Sequence, residues 1–404
     1  MTQTRQSGPQ ARAYLRGLMQ ARRRNILQIR DTVPLTDEQA LHHFISNSRW
    51  DERAVLDKIA RDANALLGGS DESFLLIDES GFPKKGRESV GVSRQWCGNL
   101  GKVDNCQTAV FAALGRGSVG TLIDTALFLP KEWTGDRDRM KKAGVPREAQ
   151  LFRTKHELAL DLIERALKNG VEFSWVGFDG FYGENGQLLR MLDATDLTFM
   201  ADVHRDQYVW DVDPTSEPKA RPMRVDQWVE KQEVGAWKRV VMREGTKGEM
   251  YVELLHGRVW SYQKGDDHPY LWHVIVTRQP NRLKFSLSNA APETSPERLV
   301  YMQGQRYFVE RALQDAKQQG GLAEYQVRGW RGWHHHTTLV MLAMLFLTEE
   351  RLIDANTPFT VADIKMMLVH FLPKRDRTPN DMWDLLRRRL KRRGLELDPD
   401  PPEE

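Results

Sequence analysis

Three kinds of hydrophobic patterning follow one another along this 404-residue chain. Up to about Gly68 the apolar residues recur at helical spacing, with Phe44, Trp50, Val55, Ile59 and Leu66 on buried faces. Thr36-Asp37-Glu38 and Asp51-Glu52 read as helix starts within that stretch. Strand-like runs come next. Ser73-Phe74-Leu75-Leu76-Ile77 ends at Asp78, and Cys106–Ala113 and Thr121–Leu129 are separated by glycine-rich turns, as in an antiparallel meander. Helical periodicity returns over Lys155–Asn169, where Leu158, Leu162, Ile163, Ala166 and Leu167 share a face and Gly170 lies just past the end. A second apolar run, Phe173–Phe178, ends at Asp179, and a helix over Asn185–Leu192 and a strand over Leu197–Val203 follow. Between Arg205 and Ser295 the pattern turns to short strands at Val240–Met242, Met250–Leu255, Val259–Tyr262 and Leu271–Val276. Helices resume from Ser295 to Leu347, and a basic helix over Trp383–Arg393 precedes an acidic, proline-rich tail that reads as disordered.

Strand, meander, helix, strand, helix, strand is the order of an α/β fold with an RNase H-like mixed five-stranded sheet flanked by helices. Asp78 then sits on its first strand and Asp179 at the end of its fourth. The predicted organisation is a helical DNA-binding domain over 1–68, a catalytic core over 69–204, a β-rich insertion over 205–295, and the rest of the core over 296–348. A helical basic region with the tail occupies 349–404. Phe44–Trp50 resembles the turn of a small helical DNA-binding module, and the other reading is a helical cap on the core.

Net charge is only +3, so its distribution says more than its sum. Two cysteines, Cys97 and Cys106, exclude a disulfide framework or a four-cysteine zinc site and suit a reducing cytosol. The longest apolar run, Leu339–Leu347, is less than half of the ~20 residues that span a bilayer, so no membrane partner is expected.

The candidate chemistry lies in three acids. An aspartate at the end of a buried strand is costly unless something compensates it, and Asp78 and Asp179 share that setting. The alternative for each is a strand-end residue capping the next turn. Glu310 lies in a basic helical stretch. Arg306, Glu310 and Lys317 fall on one helix face, where the acid could hold a metal and the cations adjacent phosphates. An ordinary salt-bridged surface helix is the alternative. Mg²⁺ favours carboxylates drawn from separate elements, and two such ions ~4 Å apart can clamp a phosphodiester. Two bare carboxylates ~4 Å apart repel by about 4 kcal/mol at an effective dielectric of 20, a sign that a divalent cation reverses. Asp78 is the expected bridging ligand.

Three segments resemble the DDE-type insertion-sequence transposases, in the cut-and-paste group with a β-strand insertion before the catalytic glutamate. They are Ile77-Asp78-Glu79-Ser80-Gly81-Phe82-Pro83-Lys84-Lys85-Gly86, Asp179-Gly180-Phe181-Tyr182-Gly183, and Arg306–Thr338 with Gln326-Val327-Arg328-Gly329-Trp330-Arg331-Gly332-Trp333. Arg306, Glu310 and Lys317 fit that group's Tyr-x₂-Arg-x₃-Glu-x₆-Lys signature, while Gln303 stands at the tyrosine position. The resemblance implies catalysis and metal binding by Asp78, Asp179 and Glu310, with two Mg²⁺ ions for which Mn²⁺ substitutes. It implies that Arg306 and Lys317 grip double-stranded DNA at transposon terminal inverted repeats. It also implies a hairpin intermediate, joining to target DNA, a homodimer on paired ends, and a bacterial cytoplasmic setting at the nucleoid. A structure-specific nuclease without strand transfer and a domesticated DNA-binding derivative are the alternatives.

Further DNA-contact candidates are Lys84 and Lys85 after the first aspartate, Arg22, Arg23 and Arg24 in the first basic helix, and the cation–aromatic series Arg328, Trp330, Arg331 and Trp333. The basic run Arg387–Arg393 could bind phosphate or be simply solvated. His334-His335-His336 is no metal site, because consecutive helical residues point in different directions. Trp210, Trp228, Trp237, Trp260 and Trp272 are core by default, although related enzymes use an aromatic of the insertion to hold a flipped base.

Overall fold

The computed structural model describes residues 3–391, apart from 218, 246, 247, 264, 280, 281, 354–358 and 377, together with 393 and 394. Arg392 and the acidic tail lie outside the described residues.

Four helices open the chain: α1 (Gln3–Gln20), α2 (Ile26–Thr32), α3 (Glu38–Ser46) and α4 (Glu52–Leu67). Asn25, Asp37 and Asp51 start the last three by accepting a hydrogen bond from the backbone N–H three residues on. The strands β1 (Ser73–Pro83), β2 (Ser93–Cys97), β3 (Lys102–Arg116) and β4 (Val119–Leu127) follow, then the short helices α5 (Lys131–Thr134) and α6 (Arg137–Lys142). Helix α7 (Lys155–Lys168) opens on a reciprocal cap between Thr154 and Glu157. It leads to β5 (Trp175–Phe178), α8 (Gly180–Gly183), α9 (Gly186–Asp193) and β6 (Phe199–Val203).

Strands β1, β5 and β6 are mutually parallel, and β3 and β4 add antiparallel neighbours, giving the order β4-β3-β1-β5-β6. This is the expected RNase H-like mixed sheet. Sequence reasoning ended the first strand at Asp78, but β1 runs on to Pro83. Pairing with β3 continues from Asp78↔Phe111 to Pro83↔Cys106, whereas β5 stops pairing at Leu76↔Gly177. Gly81 and Pro83 are tolerated because β1 has by then lost its neighbour on the other edge. Asp78 therefore lies where that edge of the sheet opens.

After a two-stranded ribbon of β7 (Tyr208–Val209) and β8 (Met223–Arg224) and helix α10 (Val225–Glu230), the chain forms β9 (Lys238–Gly245), β10 (Gly248–Ser261), β11 (Tyr270–Gln279) and β12 (Arg282–Ser288). These last four strands continue the main sheet. Strand β12 pairs antiparallel with β6, from Phe285↔Val203 to Ser288↔Met200, and β11, β10 and β9 follow outward. The sheet of five thus becomes a sheet of ten, with β2 on β3 as the remaining strand. The physical reason is the edge of β6, whose unpaired backbone groups β12 satisfies.

Helices α11 (Pro296–Gln305), α12 (Tyr307–Gln318), α13 (Trp330–Leu352), α14 (Val361–Phe371) and α15 (Pro379–Lys391) complete the chain. Helix α13 docks the N-terminal helices. His335 donates from Nδ1 to the Ile45 carbonyl at 2.9 Å and stacks on Trp50 at 4.0 Å between ring centroids. His336 donates from Nε2 to the Gly321 carbonyl, so its Nδ1 accepts from the Tyr14 hydroxyl at 2.9 Å. Phe44 and Ile45 are buried and Trp50 packs against Phe44 and His335, while Asn47 and Arg49 of the same stretch are exposed. Asp124 on β4 adds a buried tie, accepting from Arg53 of α4 and Arg165 of α7 at 2.8 Å each. Asp124→Ala leaves both guanidinium groups without that partner and should cost about 3 kcal/mol. The measurement is a fall in the guanidinium chloride midpoint with the slope of the transition unchanged.

Candidate active site

The parallel strands β1, β5 and β6 end at one side of the sheet, where open α/β sheets form crevices. The cleft there measures about 810 Å³, and Asp78, Asp179, Asp202, Arg306, Glu310 and Lys317 line it. Asp78 projects from mid-strand, is 9% exposed, and accepts the Glu79 backbone N–H at 2.7 Å. Burial and then the negative charge of Asp179 push its carboxyl up to about 7, while Arg306 acts in the opposite sense. Asp179 caps the short helix α8 by accepting from the Tyr182 N–H at 3.3 Å. Burial raises its pKa too, again opposed by Arg306. The turn that carries Asp179 packs tightly against β6, and a Cβ at Gly183 would fall 1.9 Å from the Asp202 carbonyl oxygen.

Glu310 reaches the cleft from α12. It is exposed and accepts from Arg306 Nη2 at 2.6 Å. Arg306 stands at the junction of α11 and α12, with its Nε 2.7 Å from Asp202 Oδ2. Lys317 donates to Asn99 Oδ1 at 2.9 Å and lies 5.7 Å from the Phe82 ring centre. The cleft thus gathers the three predicted acids with both signature cations. Their carboxylates are spread around it. Among the described residues only Glu184, His204 and Asp206, all exposed, bring three such ligand atoms within 4.8 Å of one another.

The other predicted contacts lie outside the cleft. Lys84 packs over the Tyr325 ring at 3.8 Å, where burial lowers its pKa to about 8, and Lys85 is exposed beside it. Arg22 and Arg23 are exposed in the turn after α1, whereas Arg24 is held by Glu324 at 2.7 Å. Arg328 is exposed, and Arg331 donates to the Asn47 carbonyl at 3.1 Å. Trp330 packs on His334 at 4.1 Å, and Trp333 is 1% exposed and offers no ring face to a base.

Sequence reasoning missed two residues of the cleft. Asp202 was legible as an acid within the apolar run Phe199–Val203. Trp96 carries no such mark, because its exposure follows from the placement of β2. Of the twelve tryptophans it alone is exposed, at 54%, and it lines the cleft. The tryptophans of the insertion are buried or half-buried.

A sequence model described as DDE superfamily endonuclease matches residues 1–249. The chain belongs to that family. The match takes in Asp78 and Asp179 and ends ahead of Glu310. The chain is also similar to the probable transposase for insertion sequence element IS701 of Microchaete diplosiphon, with 26% identity over 310 residues, 76% of this chain and 73% of that protein. The resemblance to DDE-type enzymes therefore holds at the level of the family.

A DDE endonuclease implies a divalent metal ion, and the donor set of this cleft fits one. Asp78 is buried beside a second carboxylate, all three candidate ligands offer oxygen, and the nearby guanidinium is already committed to Asp202 and Glu310. A raised carboxyl pKa means that the folded chain binds more protons than the unfolded chain between about pH 4 and 7. Stability from this group should therefore fall as pH rises through that window. Asp78→Asn should melt higher than the wild type at pH 8 without divalent ions, with the difference vanishing towards pH 4. Thermal melts across that range are the check.

Proposed function

We propose that this endonuclease is an insertion-sequence transposase that cuts double-stranded DNA at terminal inverted repeats and joins the freed 3′ ends to target DNA. One observation carries the reading: Asp78, Asp179 and Glu310 surround a single cleft together with Arg306 and Lys317, the cations of the transposase signature. The similarity to a protein named as a probable transposase supports it.

In this reading Asp78, Asp179 and Glu310 would hold the divalent cations, Mg²⁺ or in its place Mn²⁺, with Asp78 as the shared ligand. When bound, the ions supply Lewis acidity that activates water or a 3′-hydroxyl and stabilises the leaving oxygen. Lys317 holds a phosphate beside the scissile bond, and its anchor on Asn99 fixes the direction of approach. Trp96 stacks on a base next to the cut, as an exposed aromatic beside a phosphate site can. Lys85, Arg22, Arg23, Arg328 and Arg331 bind the backbone further out, and residues 1–68 contribute to recognition of the ends. A homodimer pairs two ends, cleavage passes through a hairpin on the transposon end, and the reaction takes place in the bacterial cytoplasm at the nucleoid.

Asp78→Asn, Asp179→Asn and Glu310→Gln should each lower metal-dependent cleavage of a labelled terminal-repeat duplex by roughly 10³-fold and leave gel-shift affinity for that duplex nearly intact. Strand transfer of the duplex into a plasmid separates a transposase from a nuclease, and cleavage without any joined product would reject the reading. Trp96→Ala should reduce cleavage roughly tenfold, with Trp96→Phe retaining most of it.

A further inference from the structure

Beside the metal-ligand candidates lies a buried polar chain that joins the insertion strands to the catalytic helix. Thr277 on β11 donates from Oγ1 to Gln303 Oε1 at 2.7 Å, and Gln303 Nε2 donates to Ser286 Oγ on β12 at 2.8 Å. Ser286 donates in turn to Asp202 Oδ1 at 2.7 Å. The second oxygen of Asp202 takes two cations, Lys284 Nζ at 3.1 Å and Arg306 Nε at 2.7 Å. Arg306 finally reaches Glu310 through Nη2 at 2.6 Å. Gln303, Thr277 and Ser286 are fully buried and Asp202 is 9% exposed. Thr277 and Ser286 each commit their one hydroxyl hydrogen to an acceptor within this chain, as a low-dielectric interior favours.

We infer that Asp202 is a positioning residue that holds Arg306 off the Asp78–Asp179 pair, and that Gln303 and Ser286 fix Asp202 in that task. The inference rests on the reading of Asp78, Asp179 and Glu310 as metal ligands. Arg306 lines the same cleft as both aspartates, and its charge favours the ionised form of each. A guanidinium freed from Asp202 is drawn to those carboxylates and competes there with a divalent cation. Asp202 removes that competitor by pairing the Nε edge of Arg306, which leaves Nη2 to orient Glu310. Gln303, which stands at the tyrosine position of the signature, accepts through Oε1 and donates through Nε2 and so links Thr277 to Ser286.

The test titrates Mn²⁺ into the full-length protein and follows the electron paramagnetic resonance of the free ion, with the Asp78→Asn variant defining binding elsewhere on the chain. Asp202→Asn should weaken the Asp78-dependent site about tenfold, within the range seen when groups that orient metal ligands are lost. Gel-shift affinity for duplex DNA should stay within about twofold of the wild type. Ser286→Ala leaves the ion pairs in place and frees Asp202 Oδ1 and Gln303 Nε2, so it should weaken Mn²⁺ binding less, by about threefold, and it carries the test if Asp202→Asn fails to fold. Combining Ser286→Ala with Gln303→Met should add nothing to the larger single effect, because both break one chain. Wild-type Mn²⁺ affinity in Asp202→Asn, or in Ser286→Ala where Asp202→Asn does not fold, overturns the inference while leaving the ligand assignment intact. Equal binding by wild type and Asp78→Asn overturns the ligand assignment and the inference with it.

Discussion

Two carboxylates at the open end of a buried sheet repel each other, and the neighbourhood of the cleft is organised around that repulsion. Burial and mutual charge push the Asp78 carboxyl up to about 7, far from the range of a solvated aspartate. The protein answers with a single guanidinium, Arg306, and then restrains it with Asp202 and Glu310. The result is partial compensation. The carboxylates are not neutralised by a permanent partner, and the cleft keeps an oxygen-rich surface suited to a divalent ion.

The sheet supplies the geometry for this arrangement. Pairing between β1 and β5 ends at Leu76↔Gly177, so Asp78 and Asp179 face the gap that follows. Gly183 lets the Asp179 turn pack against the backbone of β6, at the residue whose side chain anchors Arg306. The insertion then has a second role beside its extra strands. By pairing β12 with β6 it covers an edge and places Ser286 and Lys284 against Asp202. Glu310 is thus tied, through Arg306, to Asp202 on β6, far before it in the chain.

The main elements and the three acids were legible in the sequence, because strand runs, caps and the Arg306–Glu310–Lys317 spacing are local patterns. The extension of β1 past Asp78 was not, because Gly81 and Pro83 read as a break and only the pairing with β3 overrides them. The continuity of the insertion with the main sheet was equally hidden, since strand patterns do not name their partners. Trp333 and Trp330 looked like stacking residues by composition but pack inward, whereas Trp96 drew no notice and is the exposed one. Gln303 read as a defect in a signature. Its job appears only when Thr277 and Ser286 are placed beside it.

The most direct test of the central claim is anomalous diffraction from crystals of the protein–DNA complex grown with Mn²⁺. The account predicts density for an ion between Asp78 and Asp179, with Glu310 drawn to the cleft metal and Arg306 still on Asp202. Mn²⁺ at Glu184, His204 and Asp206 with none between Asp78 and Asp179 would contradict it.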